Sequence, residues 1–98
     1  MDYLSARKRV QDFINDRFGG DQDLIILDNQ TAETSFGWVF CYDTRKFVET
    51  SELIYALAGN APIIFDRRDS SLHIAGTAKG IDFYIREHLE NYSPQPPK

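Results

Sequence analysis

The sequence has a single cysteine, Cys41, and with it no means of closing an internal disulfide. That scarcity suggests a reducing compartment. No apolar run approaches the ~20 residues that span a bilayer. The start, Met1-Asp2-Tyr3-Leu4, lacks the basic-then-apolar order of a secretory leader, so the expected location is the cytoplasm. Basic charge is not in excess: 15 acidic side chains outnumber 11 basic ones, for a net charge of -4. This weighs against a nucleic-acid surface and is compatible with a basic partner, although such a charge is also ordinary for a soluble protein. There is no internal repeat. What is present is a 98-residue chain with 42% hydrophobic and 13% aromatic residues, enough for one domain with one modest core.

The chain is organised around residues 36–66. Phe36-Gly37-Trp38-Val39-Phe40-Cys41-Tyr42-Asp43 carries the only Trp and the only Cys among aromatic and β-branched neighbours. Alternation puts Trp38, Phe40 and Tyr42 on one face of a strand and Val39 and Cys41 on the other. Both faces are apolar, which predicts a central strand covered on both sides. Gly59-Asn60 followed by Pro62 predicts a tight turn into a second apolar strand, Ile63-Ile64-Phe65-Asp66-Arg67.

Ahead of this core, Asp2 is placed to cap a helix in which Tyr3, Ala6, Val10, Phe13 and Ile14 recur at helical spacing, ended by Gly19-Gly20. Arg7-Lys8-Arg9 reads as a solvated face of that helix; a phosphate contact is the competing reading, without interleaved aromatics to support it. Leu24-Ile25-Ile26-Leu27 predicts a strand reaching about Gln30, paired antiparallel with the central strand. Phe47-Val48 suggests a short edge strand, and Ser51 a cap for a short helix over residues 52–58. Leu72-His73-Ile74-Ala75 follows the turn Arg68-Asp69-Ser70-Ser71 as a further strand. Ile81, Tyr84, Ile85, His88, Leu89 and Tyr92 form the apolar stripe of a last helix. Residues 1–92 are read as one domain and 93–98, with three prolines, as a flexible tail. The expected fold is α+β: an antiparallel sheet of about four strands packed with an N-terminal and a C-terminal helix.

The side chains assemble no catalytic set, and no metal or cofactor is expected. Cys41 sits mid-strand, away from anything that would lower its pKa, and reads as a buried inert thiol. His73 and His88 belong to no close-spaced metal pattern. His88, on an apolar stripe, reads as a core-edge residue with one hydrogen bond. Asp66 and Asp69 flank a turn, and an acid/base pair there would need a cleft. Gly76-Thr77-Ala78-Lys79-Gly80 precedes a helix, but lacks the spacing and the Lys-Ser/Thr order of a phosphate-binding loop.

The succession Gly37-Trp38-Val39-Phe40 with Tyr42, then Leu57-Ala58-Gly59-Asn60-Ala61-Pro62, then Gly76-Thr77-Ala78 with Tyr84-Ile85, resembles the immunity protein 35 family, also called YrhB-like. The resemblance spans about Leu24 to Tyr92. It departs from the family pattern at Gly80, where relatives often carry proline, and in the glycine-free turn Arg68-Asp69-Ser70-Ser71. It implies a small bacterial α+β protein that protects its producer by binding a cognate polymorphic toxin; some relatives are described as chaperone-like. Gly37, Trp38, Phe40, Gly59, Asn60, Pro62, Gly76 and Thr77 are then expected to maintain the fold. Toxin contacts are expected at Asp43, Arg45, Glu49, Glu52, Tyr55, Arg67 and Asp69, whose charges and aromatic ring suit an interface with a basic protein. The expected state is a monomer or small homo-oligomer, without nucleic acid or membrane. A chaperone holding partly unfolded clients is the alternative function, and a small enzyme a more remote one.

Overall fold

The apolar stripe at the N-terminus folds as α1, Tyr3–Ile14. The computed structural model describes residues 2–19, 23–56 and 60–92. The Asp2 carboxylate caps α1 by accepting from the Ser5 backbone N–H at 2.8 Å. Ala6, Val10 and Ile14 are fully buried, and Tyr3 and Phe13 pack partly buried beside them. Burying side chains the size of Val10 and Ile14 favours folding by about 2 kcal/mol each. The α-helix ends at Ile14, earlier than expected, and a π-helical turn over Asn15–Gly19 completes it. Gly20 lies outside the described residues.

Among the described residues six strands follow: β1 Leu24–Ile26, β2 Ala32–Glu33, β3 Gly37–Phe40, β4 Tyr42–Thr44, β5 Ile63–Asp66 and β6 Ser71–Ile74. They form two antiparallel sheets, a four-stranded one ordered β2-β3-β5-β6 and a two-stranded one pairing β1 with β4. Helix α2, Arg45–Thr50, continues directly from β4, and α3, Ile81–Glu90, closes the described chain. The fold is α+β, with a helix at each end of the chain.

Several local expectations are corrected. The first strand stops at Ile26, because Asp28–Gln30 turn into a 3-10 helix whose Asp28 holds the Arg7 guanidinium at 2.7 and 3.0 Å. Its partner is β4, and the long aromatic strand is in fact two strands parted at Cys41, whose carbonyl accepts from the Leu27 N–H. Phe47 and Val48 are helical, since the Thr44 hydroxyl caps α2 by accepting from the Phe47 N–H at 3.1 Å. Of the helix expected over 52–58, the described residues 52–56 form a single 3-10 turn, Leu53–Tyr55. Residues 57–59, including the Gly59 of the expected turn, and the tail 93–98 lie outside the described residues.

The core has two compartments, set by strand alternation. Trp38, Phe40, Tyr42, Ile63 and Phe65 face α1, with Leu24 and Ile26 from the small sheet. Val39 and Ile64 face the other way, with Phe36, and are covered by Ile81, Tyr84 and Ile85 of α3. Every residue of β3 and of β5 is buried, as a strand covered on both sides requires. At Gly37 the β5 backbone comes so close that a Cβ would run into the Phe65 carbonyl oxygen, at a φ of +157°. At Gly76 a Cβ would meet the Tyr84 ring.

Candidate functional site

Seven residues were expected to meet a partner, and the fold divides them between two ends of the molecule. Asp43, Arg45, Glu49, Glu52 and Tyr55 sit where β4 runs into α2 and the Leu53–Tyr55 turn. Arg67 and Asp69 sit in the β5–β6 turn, beside the start of β3: the Arg67 N–H donates to the Phe36 carbonyl at 2.8 Å. The run from Gly37 to Thr44 separates these ends by on the order of 20 Å at strand rise.

At the α2 end, Thr44 fixes the local shape. Its hydroxyl accepts from the Phe47 N–H and donates to the Tyr55 carbonyl at 2.6 Å, tying the start of α2 to the 3-10 turn. Ser51 closes α2 in the left-handed region, φ 59°, with its N–H on the Phe47 carbonyl. Arg45 pairs with Asp23 at 2.7 Å, and the Lys46 ammonium stands 4.5 Å from the centre of the Tyr55 ring. Asp43 is buried, and its carboxylate accepts from the Thr44 N–H at 2.7 Å. It helps to shape this end from inside, whereas Arg45, Glu49 and Glu52 are exposed and Tyr55 is half-buried. Nearby Asn60 donates from its side-chain amide to the Tyr42 carbonyl.

Sequence reasoning passed over the most exposed apolar side chains of this end. Leu53 and Ile54 are 82% and 83% exposed, and Val48 is also on the surface. Glu49 and Glu52 flank them, and neither carboxylate forms an ion pair with any described residue. The signal was present as two adjacent aliphatics in a stretch with no helical or strand period to bury them.

The opposite end holds a polar cluster built on Asp66, the last residue of β5, which is fully buried. Its Oδ1 accepts from the Arg68 N–H and Nε, both at 2.9 Å. Its Oδ2 accepts from Arg68 Nη2 at 2.6 Å and meets His88 Nε2 at 2.8 Å. Burial pushes this carboxyl up, but the hydrogen bonds from Arg68 and His88 outweigh it and hold the pKa at about 2. The Arg68 guanidinium lies over the Tyr92 ring at 3.5 Å. His88 is wedged between the rings of Phe36 and His73, with centroids 4.8 and 4.7 Å away. His73 Nε2 meets the Ser71 hydroxyl at 2.7 Å, and that hydroxyl donates to Asp69. Burial, then the neighbouring His88, push the His73 pKa down. A cleft of about 350 Å³ opens here between β6 and α3.

This cluster does not have the order of a nucleophile, base and orienter. Ser71 stands between Asp69 and His73, so the imidazole is not held by a carboxylate on its far side. Burial raises the Cys41 pKa, which favours the inert thiol. The three basic residues of α1 are all engaged: Arg7 with Asp28, Lys8 with Asp12, and Arg9 with the Ser70 carbonyl. Among the described residues no three His, Cys, Asp or Glu side chains group to hold a metal ion, and no helix is long and apolar enough to cross a membrane.

A family model described as immunity protein 35 matches residues 4–91. The chain belongs to the immunity protein 35 family. Among curated proteins it is similar to the uncharacterized protein YrhB of Escherichia coli (strain K12), with 38% identity over 68 residues, covering 69% of this chain and 72% of that protein. No solved structure matches. Membership of the immunity protein 35 family supports the general role of an immunity protein, and with it a protein partner, a toxin. The family had been legible in Gly37-Trp38-Val39-Phe40, Leu57-Ala58-Gly59-Asn60-Ala61-Pro62 and Gly76-Thr77-Ala78.

Proposed function

We propose that this protein neutralises one cognate toxin by forming a stoichiometric, non-covalent complex through the face built by α2 and the Leu53–Tyr55 turn. The observation that carries this reading is the exposed Leu53–Ile54 pair flanked by the carboxylates of Glu49 and Glu52, which form no ion pair with any described residue. An apolar anchor desolvated at the centre of an interface supplies most of its affinity, while charges at the rim steer the encounter and set the register. Carboxylates at that rim suit a toxin with a basic rim of its own, and Arg45 and Tyr55 lie at the same end. Neutralisation must leave little toxin free, which calls for nanomolar affinity, about -12 kcal/mol. We place the complex in the cytoplasm, where a lone thiol such as Cys41 stays reduced.

The test is affinity capture of the tagged protein from its source cell at low and high salt, followed by titration of the purified partner. One equimolar partner bearing a toxin domain supports the reading; many substoichiometric clients refute it. Replacing Leu53 and Ile54 together by Ala is expected to weaken binding by about 2 kcal/mol or more, roughly thirty-fold in Kd, without unfolding the domain. Glu49→Lys with Glu52→Lys is expected to slow association and reduce its salt dependence. Unchanged affinity in both double variants removes this face from consideration. A chaperone-like holding role calls for a broad exposed apolar patch; here the apolar pair is narrow and rimmed by charge.

A further inference from the structure

We infer that β6 is a self-association edge: two copies of this chain pair their β6 strands antiparallel about a two-fold axis at His73, joining their four-stranded sheets into one.

β6 ends the four-stranded sheet, with β5 on one side and no described strand on the other. The pairing fixes which of its main-chain groups are free. The Ala75 N–H donates to the Pro62 carbonyl at 2.8 Å, so alternation turns the groups of Ser71 and His73 toward β5 as well. Those of Leu72 and Ile74 point outward, and no described residue bonds to them. Sheet edges are usually guarded by a charge, a proline or a very short strand. Ser71-Leu72-His73-Ile74-Ala75 contains no Asp, Glu, Lys, Arg or Pro, and Ile74 is 47% exposed. The opposite edge of the sheet is guarded: β2 is two residues long and ends on the exposed Glu33.

Self-complementarity selects a second copy as the occupant. In an antiparallel pair centred on His73, Leu72 stands opposite the partner's Ile74, and Ile74 opposite the partner's Leu72. These are the residues whose N–H and C=O point outward, so each pair exchanges both of its main-chain bonds. Their side chains also match. Leu72 packs partly buried against the core on the α1 side, and Ile74 shares that face by alternation. Pairing brings the two aliphatics side by side and covers Ile74, while no charged residue of this net-acidic chain meets its own copy within the paired strands. Moving the axis to Leu72 would set Ile74 against the partner's Ser70. At Ser70 the chain has left the strand, with φ 57° and its carbonyl taken by Arg9. Moving the axis to Ile74 would set Leu72 against the partner's Gly76, beyond the strand end. With one open edge per copy, pairing leaves only the two guarded β2 edges outside, so assembly closes at the dimer. The paired segment is short beside a standard interface of roughly 1,600 Å², so the affinity is micromolar rather than nanomolar.

Sedimentation velocity of the full-length protein between about 5 µM and about 1 mM tests this, with a reversible shift expected from the 11.3 kDa chain to twice that mass. Amide exchange of the ¹⁵N-labelled protein over the same range locates the contact. The Leu72 and Ile74 amides are expected to slow at least about three-fold as concentration rises, whereas the His73 amide, already bonded to β5, changes less. Ile74→Lys, at a side chain already half in solvent, is expected to weaken dimerisation at least about ten-fold while the amide spectrum of α1 and β3 stays in place. A monomer at every concentration, a series of species larger than the dimer, protection that rises elsewhere than β6, or a folded Ile74→Lys variant that dimerises as wild type would each overturn the proposal. If Ile74→Lys fails to fold, the exchange data on the wild-type protein still decide. The edge includes no residue of α2 or of the Leu53–Tyr55 turn, so these outcomes are separate from those of the Leu53 and Ile54 variants.

Discussion

Replacing Asp66 by Asn isolates the polar cluster that joins β5 to α3. The carboxylate is fully buried and fills its acceptor sites with bonds from Arg68 and His88. Asparagine has the same shape but only one acceptor oxygen, and its amide would turn a donor toward the Arg68 or His88 donors. The carboxyl pKa falls from 3.8 to about 2 in the folded protein, which corresponds to about 2 kcal/mol of stability at neutral pH. The sign follows from the direction. The folded value lies below the unfolded one, so the contribution is fully present above about pH 4 and is lost as pH falls through about 2. Asp66→Asn is therefore expected to cost about 2 to 3 kcal/mol at pH 7 and to lower Tm by roughly 8–16 °C. Urea unfolding followed by the fluorescence of the buried Trp38 measures this directly, at pH 7, 4 and 2. The gap between variant and wild type should narrow toward pH 2, where the wild-type carboxyl is itself protonated. A loss below about 0.5 kcal/mol at pH 7, or one equally large at pH 2, would refute the reasoning.

Two further outcomes are expected. Gly37→Ala forces a methyl group onto the Phe65 carbonyl and should cost at least about 3 kcal/mol, read as lost amide protection in β3 and β5; a variant within about 1 kcal/mol of wild type would mean the strands can part without penalty. His73 titrates below its ordinary value because of burial and His88, against the opposing pull of Asp69 and Asp66. Its contribution to stability is thus present above about pH 6.5 and lost as pH falls through the depressed folded value. His73→Gln should flatten that part of the stability profile, and an imidazole titration by NMR checks the direction.

The helices at the two ends and the two-sided burial of the aromatic strand were legible because they rest on periodicity. Tyr3, Ala6, Val10, Phe13 and Ile14 repeat at one helical period, and Trp38, Phe40 and Tyr42 alternate cleanly, so their faces followed without knowledge of the partners. What escaped was decided by single side chains acting across the chain. Phe47-Val48 has strand composition, but the Thr44 hydroxyl starts a helix beneath it. The aromatic alternation runs unbroken through Cys41, so nothing in it shows that β3 and β4 join different sheets. Asp43 is a charged residue in a polar stretch, and only the tertiary structure buries it. The Asp66 cluster had a partial signal: Arg68 is two residues on, in the turn that follows the strand, while His88 interrupts an apolar stripe 22 residues later. No local pattern says that these three meet.

The crossing at Cys41 has a consequence for how such a protein can change. The backbone passes from the four-stranded sheet to the two-stranded one within a single residue, and α1 packs against both. The glycine contact at Gly37, the two-sided core and the Asp66 cluster all lie on the four-stranded side. Glu49, Glu52, Leu53 and Ile54 hang from the smaller sheet and bury nothing there. These four side chains are exposed and belong to neither core cluster. That surface can therefore change residue by residue while the same scaffold folds beneath it.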